Sequence, residues 1–268
     1  MALILPHAAT VLVFDSGAGG LSIAQEILAL TPQLHLIYAP DLAYFPYGTK
    51  DDGELTERII QQLGALYEQY TPDLVVVACN TASTLALDIL RSQFPCPFVG
   101  VVPAIKPAAA QSRSGVVGVL ATSATITRPY TRQLIADFAS DKQVILAACD
   151  DLVALAEDKI LGKKPDLSRI TSSLNHLFAQ KGGELIDTVV LACTHFPLLT
   201  HEFVQWSKQQ DRAIVWVDSG NAIAKRVKSL LSAQLAQRKT NSTKLTFAPI
   251  NEEIMQCYRE FLETSLAT

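Results

Sequence analysis

The chain has 268 residues, of which 49% are hydrophobic and 18% are charged, with a formal net charge of −4 at pH 7. This composition excludes a disordered protein, and the acidic balance gives no basic footprint for nucleic acid. No apolar run approaches the about 18 residues that a membrane span needs. A chain of this length is expected to form one large domain or two small ones.

Short apolar runs alternate along the chain with stretches of helical periodicity. In chain order the predicted strands are Thr10–Phe14, Leu34–Tyr38, Leu74–Ala78, Phe98–Val102, Gly115–Leu120, Val144–Ala148, Thr188–Ala192 and Ala213–Val217. The predicted helices extend to about Leu30, over 54–70, to about Arg91, over 129–138, 150–161, 168–180, 198–209 and 219–237, and from about Glu252. Such alternation is typical of parallel sheets buried on both faces. It predicts an α/β fold with two sheets of four or five strands rather than one larger sheet.

Two interruptions of this alternation predict domain boundaries. Pro95-Cys96-Pro97 and Val102-Pro103-Ala104 break the pattern near residue 100, and a second crossing falls near Asp218. The last polar stretch, Lys239–Lys244, and the final helix could pack back on the first domain. We expect a first α/β domain formed by residues 1–99 and 218–268, and a second formed by residues 100–217.

The N-terminal run of residues 1–14 is apolar but contains no Lys or Arg, and the first basic residue is Lys50. A secretory signal begins with a charged segment and ends at a small-residue cleavage site. Here the run continues directly into Asp15-Ser16-Gly17, as the first strand of a fold would. We therefore expect a cytoplasmic protein, in which the five cysteines are thiols and not disulfides.

A short repeat supplies each predicted half with one cysteine. The segment Val75–Cys79 matches Val189–Cys193 at four of five positions, and each segment puts a cysteine at the end of an apolar strand. Ligands bind at the carboxyl ends of the strands in open α/β sheets. A thiol that faces a helix N-terminus ionises more readily, and His195 could stabilise such a thiolate or relay a proton. Cys79 and Cys193 are therefore candidate reactive thiols, with buried packing cysteines as the alternative.

Cys79, Cys193 and His195 can be compared with the needs of a zinc site, of Cys-His hydrolysis and of the inversion of a carbon centre. A structural zinc site needs four ligands, whereas Cys79, Cys193 and His195 supply at most three, and the chain has no Cys-x-x-Cys. A hydrolytic Cys-His pair leaves the second cysteine without a role. Inversion of a carbon centre, in contrast, needs one base to remove a proton from one face and another to return one to the opposite face. The other cysteines, Cys96, Cys149 and Cys257, are expected to be packing residues.

The segment Asp15–Gly20 follows the first strand and opens a helix, as phosphate-binding loops do. It lacks the lysine of a Walker A loop, and Ser22 stands where a dinucleotide fingerprint needs its third glycine. Asp15 and Ser16 could meet a ligand amine, assist a base or only cap the helix. Asp218-Ser219-Gly220 repeats the pattern. Thr122–Thr125 also follows a strand end, where it could bind a carboxylate or cap a helix.

In this order, the motifs resemble those of glutamate racemases in the cofactor-independent aspartate/glutamate racemase superfamily. The resemblance extends from about Val11 to Leu230. It implies two α/β domains related by pseudo-symmetry, an active site in the cleft between them, and no pyridoxal phosphate, metal or other cofactor. The segments that carry it are Phe14–Gly20, Pro46-Tyr47-Gly48, Ala78–Ser83, Gly118–Thr122 and Ala192–Pro197.

The resemblance also implies roles for single residues. Cys79 would act as the base on the D-enantiomer and Cys193 on the L-enantiomer, with Asp15 and His195 as assisting acid/base residues. The positions that match substrate contacts are Asp15, Ser16, Pro46, Tyr47, Gly48, Asn80, Thr81, Thr125, Thr194 and His195.

A further family acid follows a cysteine by eight positions, and Glu157 stands eight positions after Cys149. This stretch departs from the family pattern, because Asp150-Asp151 stands where the family usually has proline. Asp158 is adjacent, so the sequence leaves open whether Glu157 or Asp158 is the assisting acid.

The activity implied is the interconversion of L- and D-glutamate, which would supply D-glutamate for peptidoglycan, in a protein expected to form a homodimer. Without an electron sink the α-proton of an amino acid is a very weak acid, so the site must stabilise charge by desolvation and positioned donors. We expect domain closure over the substrate to supply both. The alternatives are a racemase for aspartate or a hydantoin, a two-lobed amino-acid binding or sensor protein, and a nucleotide-dependent oxidoreductase.

Overall fold

The structure, a computed structural model, describes residues 8–237 and 243–266. The chain divides into two units, of which one contains the described residues up to Val101 and from Gly220 onward, and the other Val102–Ser219. Each unit is built on one parallel sheet with helices between the strands, as the sequence predicts. Within 8–237 and 243–266, no helix combines the length and apolar character that crossing a membrane would require.

The first unit begins with three strand–helix repeats and a fourth strand. These elements are β1 (Ala9–Asp15), α1 (Gly20–Leu30), β2 (Leu34–Pro40), α2 (Asp52–Tyr70), β3 (Leu74–Val77), α3 (Asn80–Gln93) and β4 (Phe98–Gly100).

The second unit follows the same alternation with additional helices. Its elements are α4 (Ile105–Gln111), β5 (Val116–Ala121), α5 (Ser123–Thr127), α6 (Pro129–Phe138), β6 (Gln143–Ala148), α7 (Asp151–Ile160), α8 (Leu167–Phe178), β7 (Thr188–Leu191), α9 (Thr200–Gln209) and β8 (Val215–Val217).

The chain then returns to the first unit and completes it. The returning elements are α10 (Gly220–Leu230), α11 (Ser232–Gln237), β9 (Lys244–Phe247) and α12 (Glu252–Leu266).

The four strands of the second sheet have the same order as four of the five strands of the first. The first sheet has the order β4-β3-β1-β2-β9, and the second, given from its β8 edge, has the order β8-β7-β5-β6. In each sheet the chain leaves a central strand toward one side and then crosses to the other side, so the order reverses beside β1 and beside β5. Ligands of open α/β sheets bind at such a switch point, outside the carboxyl ends of the strands. The pairs β1/β3 and β5/β7 flank these two points.

The central strands β1, β3, β5 and β7 are apolar apart from Thr10 and Asp15 in β1 and Thr188 in β7, as expected for strands that are buried on both faces. On one face of the first sheet, Leu12 and Phe14 of β1 share a buried cluster with Leu55, Ile59 and Leu63 of α2. Helix α2 begins where the Asp51 carboxylate accepts hydrogen bonds from two backbone N–H groups of its first turn, at 2.9 and 3.1 Å. The packing of α2 therefore holds β1 in place on this face of the sheet.

Several elements of the structure differ from those that the sequence predicts. Helix α4 was not predicted, because its proline, Pro107, looks like a breaker, although proline is tolerated in a first turn. The predicted helix over 219–237 is interrupted after Leu230. Strand β9 was also missed, since only two of its four residues are apolar; it pairs with β2 at the edge of the sheet. Of the predicted polar stretch Lys239–Lys244, residues 239–242 lie outside the described residues.

Gly20 is required by the close approach of α1 to the strand ends. A Cβ atom there would lie 2.9 Å from the Asp15 Cβ atom, 3.0 Å from the Tyr38 hydroxyl and 3.2 Å from the Ala78 Cβ atom. We expect Gly20→Ala to lower the free energy of unfolding by about 1–3 kcal/mol, because a packed interior resists an added methyl group. The measurement is the thermal unfolding midpoint by circular dichroism.

Gly64→Ala is the matched control for that substitution. Gly64 lies inside α2, and a Cβ atom there would meet only the Phe94 ring, at an ordinary 3.9 Å. Alanine is the better helix former, so this variant should match or exceed the wild-type midpoint. A Gly20→Ala midpoint equal to that of Gly64→Ala would contradict the packing constraint.

Candidate active site

Cys79 lies two residues beyond the end of β3 and immediately precedes the first turn of α3. The Ala78 N–H donates to the Phe14 carbonyl at 2.7 Å, which continues the β1–β3 ladder and puts Cys79 one residue beyond it. Cys79 is 7% exposed. The N-terminus of α3 carries the positive end of the helix dipole, so an anionic group is favoured beside Cys79.

Asp15 lies at the end of β1, the strand next to β3, and is fully buried. Its carboxylate accepts hydrogen bonds from the Ser16 N–H, at 2.8 Å, and from the Gly20 N–H at the start of α1. Gly19 and not Asp15 occupies the N-cap position of α1, although the Asp15 carboxylate bonds the first N–H of the helix. A role for Asp15 in the chemistry stays a prediction.

The first turn of α3 is buried and fixed to the sheet. Asn80 and Thr81 are both 6% exposed. The Ser83 hydroxyl donates to the Val77 carbonyl at 2.9 Å and accepts from the Val101 N–H at 3.0 Å. Ser83 thus joins the ends of β3 and the segment after β4, which holds the backbone on both sides of Cys79 in place.

Tyr47 lies in the loop between β2 and α2, flanked by the exposed residues Pro46 and Gly48. The Phe45–Pro46 peptide bond is cis. Tyr47 is 2% exposed, and its hydroxyl donates to an Asp41 carboxylate oxygen at 2.8 Å. Burial raises the pKa of Tyr47 far above 10, and the negative charges of Asp41, Cys79 and Asp15 add to this effect. The Tyr47 phenol is therefore a neutral hydrogen-bond donor, and it belongs to the same buried cluster as Cys79.

Cys193 occupies the same position in the second unit. The Ala192 N–H donates to the Leu120 carbonyl at 2.8 Å, as Ala78 does to Phe14, so Cys193 also lies one residue beyond its ladder. Its Sγ atom is 3.8 Å from Nδ1 of His195. The residue between them, Thr194, is 5% exposed.

His195 connects Cys193 to a carboxylate. Its Nε2 atom is 2.7 Å from Oε1 of Glu157, which α7 supplies, and the histidine is 3% exposed. Burial disfavours the charged imidazole, but the hydrogen bonds to Cys193 and Glu157 outweigh it and raise the pKa of His195 well above 6.5. The three side chains form a chain of thiol, imidazolium and carboxylate, which can deliver a proton to Cys193 or stabilise its thiolate.

The structure distinguishes the two acids that the sequence left open. Glu157 contacts His195, whereas the Asp158 side chain on the same helix is 43% exposed and accepts a hydrogen bond from Lys163 Nζ at 2.7 Å. The reason is the spacing on α7, because adjacent helical residues point about 100° apart.

Thr122 and Thr125 form a local cap in the second unit. The Thr122 hydroxyl lies 3.0 Å from the Thr125 hydroxyl and accepts from the Thr125 N–H at 3.3 Å. Thr125 is buried, and its carbonyl accepts from the Thr131 hydroxyl at 2.6 Å. The capping interpretation of this segment is correct, and a substrate contact by Thr125 stays a prediction. In the motif Asp218-Ser219-Gly220, which repeats the Asp15-Ser16-Gly17 pattern, the Ser219 hydroxyl donates to the Val102 carbonyl at 2.5 Å.

The remaining cysteines lie apart from these groups. All five are free thiols, as predicted. Burial raises the pKa of Cys96 and of Cys149 to about 11, so both are neutral thiols at physiological pH. The Cys149 thiol donates to the Ser173 carbonyl at 3.8 Å. Among residues 8–237 and 243–266, no group of three or more His, Cys, Asp or Glu side chains is arranged to hold a metal ion.

Two residues of the first unit were not predicted to belong to a site. The Asp41 carboxylate accepts from the Tyr47 hydroxyl and from two nitrogens of the Arg58 guanidinium. Asp41 could have been found from the sequence, because like Asp15 it closely follows an apolar strand. Arg58 carried no such signal, since it lies on the polar side of α2.

The His195–Glu157 hydrogen bond predicts a measurable titration. Glu157→Gln removes the carboxylate charge, so the pKa of His195 should fall. Because the pKa of His195 is raised on folding, this proton stabilises the fold fully below about pH 6.5, and the contribution is lost as pH rises through the folded pKa. The measurements are NMR titration of the imidazole and urea unfolding of both proteins at several pH values.

Asp158→Asn is the control for this titration, because it removes the neighbouring carboxylate that does not contact His195. It should leave the pKa of His195 near the wild-type value. Equal effects of the Glu157 and Asp158 variants would contradict the specific pairing.

The chain is similar to several characterised proteins. It is 47% identical to the glutamate racemase of Salmonella typhimurium over 238 residues, which cover 89% of this chain and 82% of that protein. It is 48% identical to the glutamate racemase of Pectobacterium atrosepticum over 228 residues, which cover 85% and 78% of the two chains.

A solved structure and a family model also match this chain. The crystal structure of Escherichia coli glutamate racemase in complex with L-glutamate and the activator UDP-MurNAc-ala has a TM-score of 0.86 and 42% identity, with 95% of each chain covered. Residues 20–227 match the model of the Asp/Glu/Hydantoin racemase family. The chain therefore belongs to the Asp/Glu/Hydantoin racemase family.

Proposed function

We propose that this protein is a glutamate racemase that interconverts L- and D-glutamate by proton transfer between two cysteines, without a cofactor. The observation that carries the proposal is the equivalent position of Cys79 and Cys193, each one residue beyond the switch-point ladder of its own sheet. The names of the relatives support glutamate as the substrate, and L-glutamate is bound in the similar Escherichia coli structure.

In one direction of the proposed reaction, the Cys79 thiolate removes the α-proton of D-glutamate, and the electron pair stays on the α-carbon. The Cys193 thiol then gives its proton to the opposite face, which forms L-glutamate and leaves Cys193 as the thiolate. The reverse reaction exchanges the two roles. The chemistry requires the two thiols to reach opposite faces of the same α-carbon.

Each cysteine has its own assisting group in the proposal. In the first unit, Asp15 lies at the end of β1, which pairs with the strand that precedes Cys79. Asp15 is buried, so water screens its charge little. In the second unit, the His195 imidazolium, held by Glu157, can restore the proton that Cys193 donates. These arrangements would let one thiol be ionised while the other is protonated.

Binding of glutamate is assigned to polar groups around the two thiols. The first turn of α3 offers backbone N–H groups and the side chains of Asn80 and Thr81, which suit a carboxylate. The remaining proposed contacts are Asp15, Ser16, Pro46, Tyr47, Gly48, Thr125, Thr194 and His195.

Three further assignments accompany this function. We propose that the two units are the two domains of the enzyme, that the protein is a homodimer, and that its D-glutamate supplies peptidoglycan synthesis. Size-exclusion chromatography with light scattering tests the dimer, and rescue of a D-glutamate-requiring bacterium tests the supply of D-glutamate.

The function is tested by circular dichroism of L-glutamate, and separately of D-glutamate, with purified protein and no added cofactor. Both optical signals should decay to zero with wild type. Cys79→Ser and Cys193→Ser should each lower the rate at least about a thousandfold, because a serine hydroxyl is a far weaker acid than a thiol.

Cys149→Ser is the matched control, since it removes a buried thiol outside both candidate sites. It should retain the wild-type rate. Decay with aspartate but not glutamate would keep the mechanism and change the substrate. No decay with any amino acid, in folded protein with free thiols, would contradict the enzyme and favour a binding protein.

A further inference from the structure

We propose that Asp41 and Arg58 are positioning residues of the proposed racemase: they fix Tyr47, and with it the loop Phe45–Gly48, beside Cys79. This inference rests on the proposed function. The two residues touch neither cysteine in the proposal, and they act through the position of Tyr47.

The Asp41 carboxylate is the centre of this network. Its side chain is 4% exposed, and it accepts hydrogen bonds from Arg58 Nε at 2.9 Å and from Arg58 Nη2 at 2.7 Å. The Asp41 N–H donates to the Asp15 carbonyl at 2.8 Å. A buried carboxylate is expensive unless it is paired, and a two-pronged guanidinium pair is the strongest form of such pairing. Arg58 thus keeps Asp41 in place as an acceptor next to the end of β1.

The same carboxylate determines the direction of the Tyr47 hydroxyl. That hydroxyl donates to the Asp41 oxygen that also accepts from Arg58 Nε. The Tyr47 ring packs against Phe14, with 6.4 Å between the ring centroids, and belongs to the buried cluster that contains Cys79. With its hydroxyl and its ring both held, Tyr47 has one available position.

Tyr44 covers the outer side of the network. Its ring lies 6.5 Å from that of Tyr47, and the Arg58 guanidinium lies 5.7 Å from the Tyr44 ring centroid. On the same ring, the Lys50 ammonium lies 4.7 Å from the centroid. Cations over an aromatic ring are attracted to its face, so Tyr44 helps keep Arg58 directed toward Asp41.

Arginine suits position 58 better than lysine because of the shape of its guanidinium group. Its planar fork satisfies both carboxylate oxygens of Asp41 while one of them still accepts from Tyr47. A lysine would keep the charge but would offer a point donor in place of the fork. We therefore expect Arg58→Lys to retain part of the positioning and Arg58→Gln to retain little.

The test compares Arg58→Gln, Arg58→Lys and Tyr47→Phe with wild type in glutamate racemisation, per folded enzyme. Arg58→Gln should lower kcat/KM about tenfold to a hundredfold, because small misplacements of a site cost that much. It should also raise the primary isotope effect with α-deuterated D-glutamate, since proton removal becomes more rate-limiting. Arg58→Lys should recover part of the loss.

A double variant shows whether Arg58 acts on the reaction through Tyr47 or independently of it. If Arg58 acts by holding the Tyr47 hydroxyl, the double variant Tyr47→Phe/Arg58→Gln should be no slower than the slower single variant. Losses that multiply would overturn the inference.

Arg259→Gln is the matched control in the same unit. Arg259 is 33% exposed, close to the 29% of Arg58, lies over the Phe247 ring and has one carboxylate partner, Glu263. Its substitution should leave kcat/KM and the isotope effect unchanged. An Arg58→Gln variant that melts earlier but matches this control in both quantities would reduce Arg58 to a structural residue and overturn the inference.

Alkylation by iodoacetamide gives a readout that does not need turnover. Cys79 is 7% exposed beside Tyr47, so loosening of the loop should speed its alkylation several-fold in Arg58→Gln and not in Arg259→Gln. Equal rates in both variants would contradict the fixation of the loop. A wild-type protein that does not racemise glutamate would overturn the proposed function as well, and this result is distinct from an active wild type with an unaffected Arg58→Gln.

Discussion

The constraint on which the rest of the structure depends is the direction of the parallel strands. Because every strand of a parallel sheet ends at the same edge, the polar residues that follow those strands are brought together at that edge. The reversal of strand order beside β1 and β5 then leaves space between diverging connections, where a small molecule can bind. Cys79 and Cys193 each follow the strand that flanks such a point. Proton transfer between two cysteines needs one thiol at each of two sites, and two sheets that share the order of four strands supply two equivalent backbone positions for them.

The units differ in how they stabilise charge. In the first, the buried carboxylates use backbone and guanidinium donors: Asp15 accepts from the start of α1, and Asp41 accepts from Arg58. In the second unit, the Glu157 carboxylate is hydrogen-bonded to His195, which also contacts the Cys193 thiol. The raised pKa of His195 follows from its hydrogen bonds to Cys193 and Glu157, which outweigh the effect of burial. The equivalence of the two cysteines is therefore one of backbone position, and their side-chain surroundings are distinct.

Much of this arrangement is predictable from the sequence, for physical reasons. A short, valine-rich apolar run such as Val75–Ala78 favours a central strand, and a cysteine after such a strand is expected at the ligand-binding edge. Strand β9 could not be predicted, because a half-exposed edge strand needs little apolar character. The partner of His195 was undecided between two adjacent acids, since only the start of α7 determines which of them faces the histidine. Arg58 was missed because a polar residue on a helix surface looks the same whether it faces water or a buried carboxylate across a loop.

The central claim is that two different groups exchange protons with the two faces of one α-carbon. The most direct measurement is racemisation of D-glutamate in D2O, stopped early, with the deuterium content of each enantiomer determined by mass spectrometry. The account predicts that the L-glutamate formed carries an α-deuterium, supplied by the second thiol, while the remaining D-glutamate is still unlabelled. L-glutamate that retains the original α-hydrogen would contradict the account, because a single base would then have carried the same proton from one face to the other.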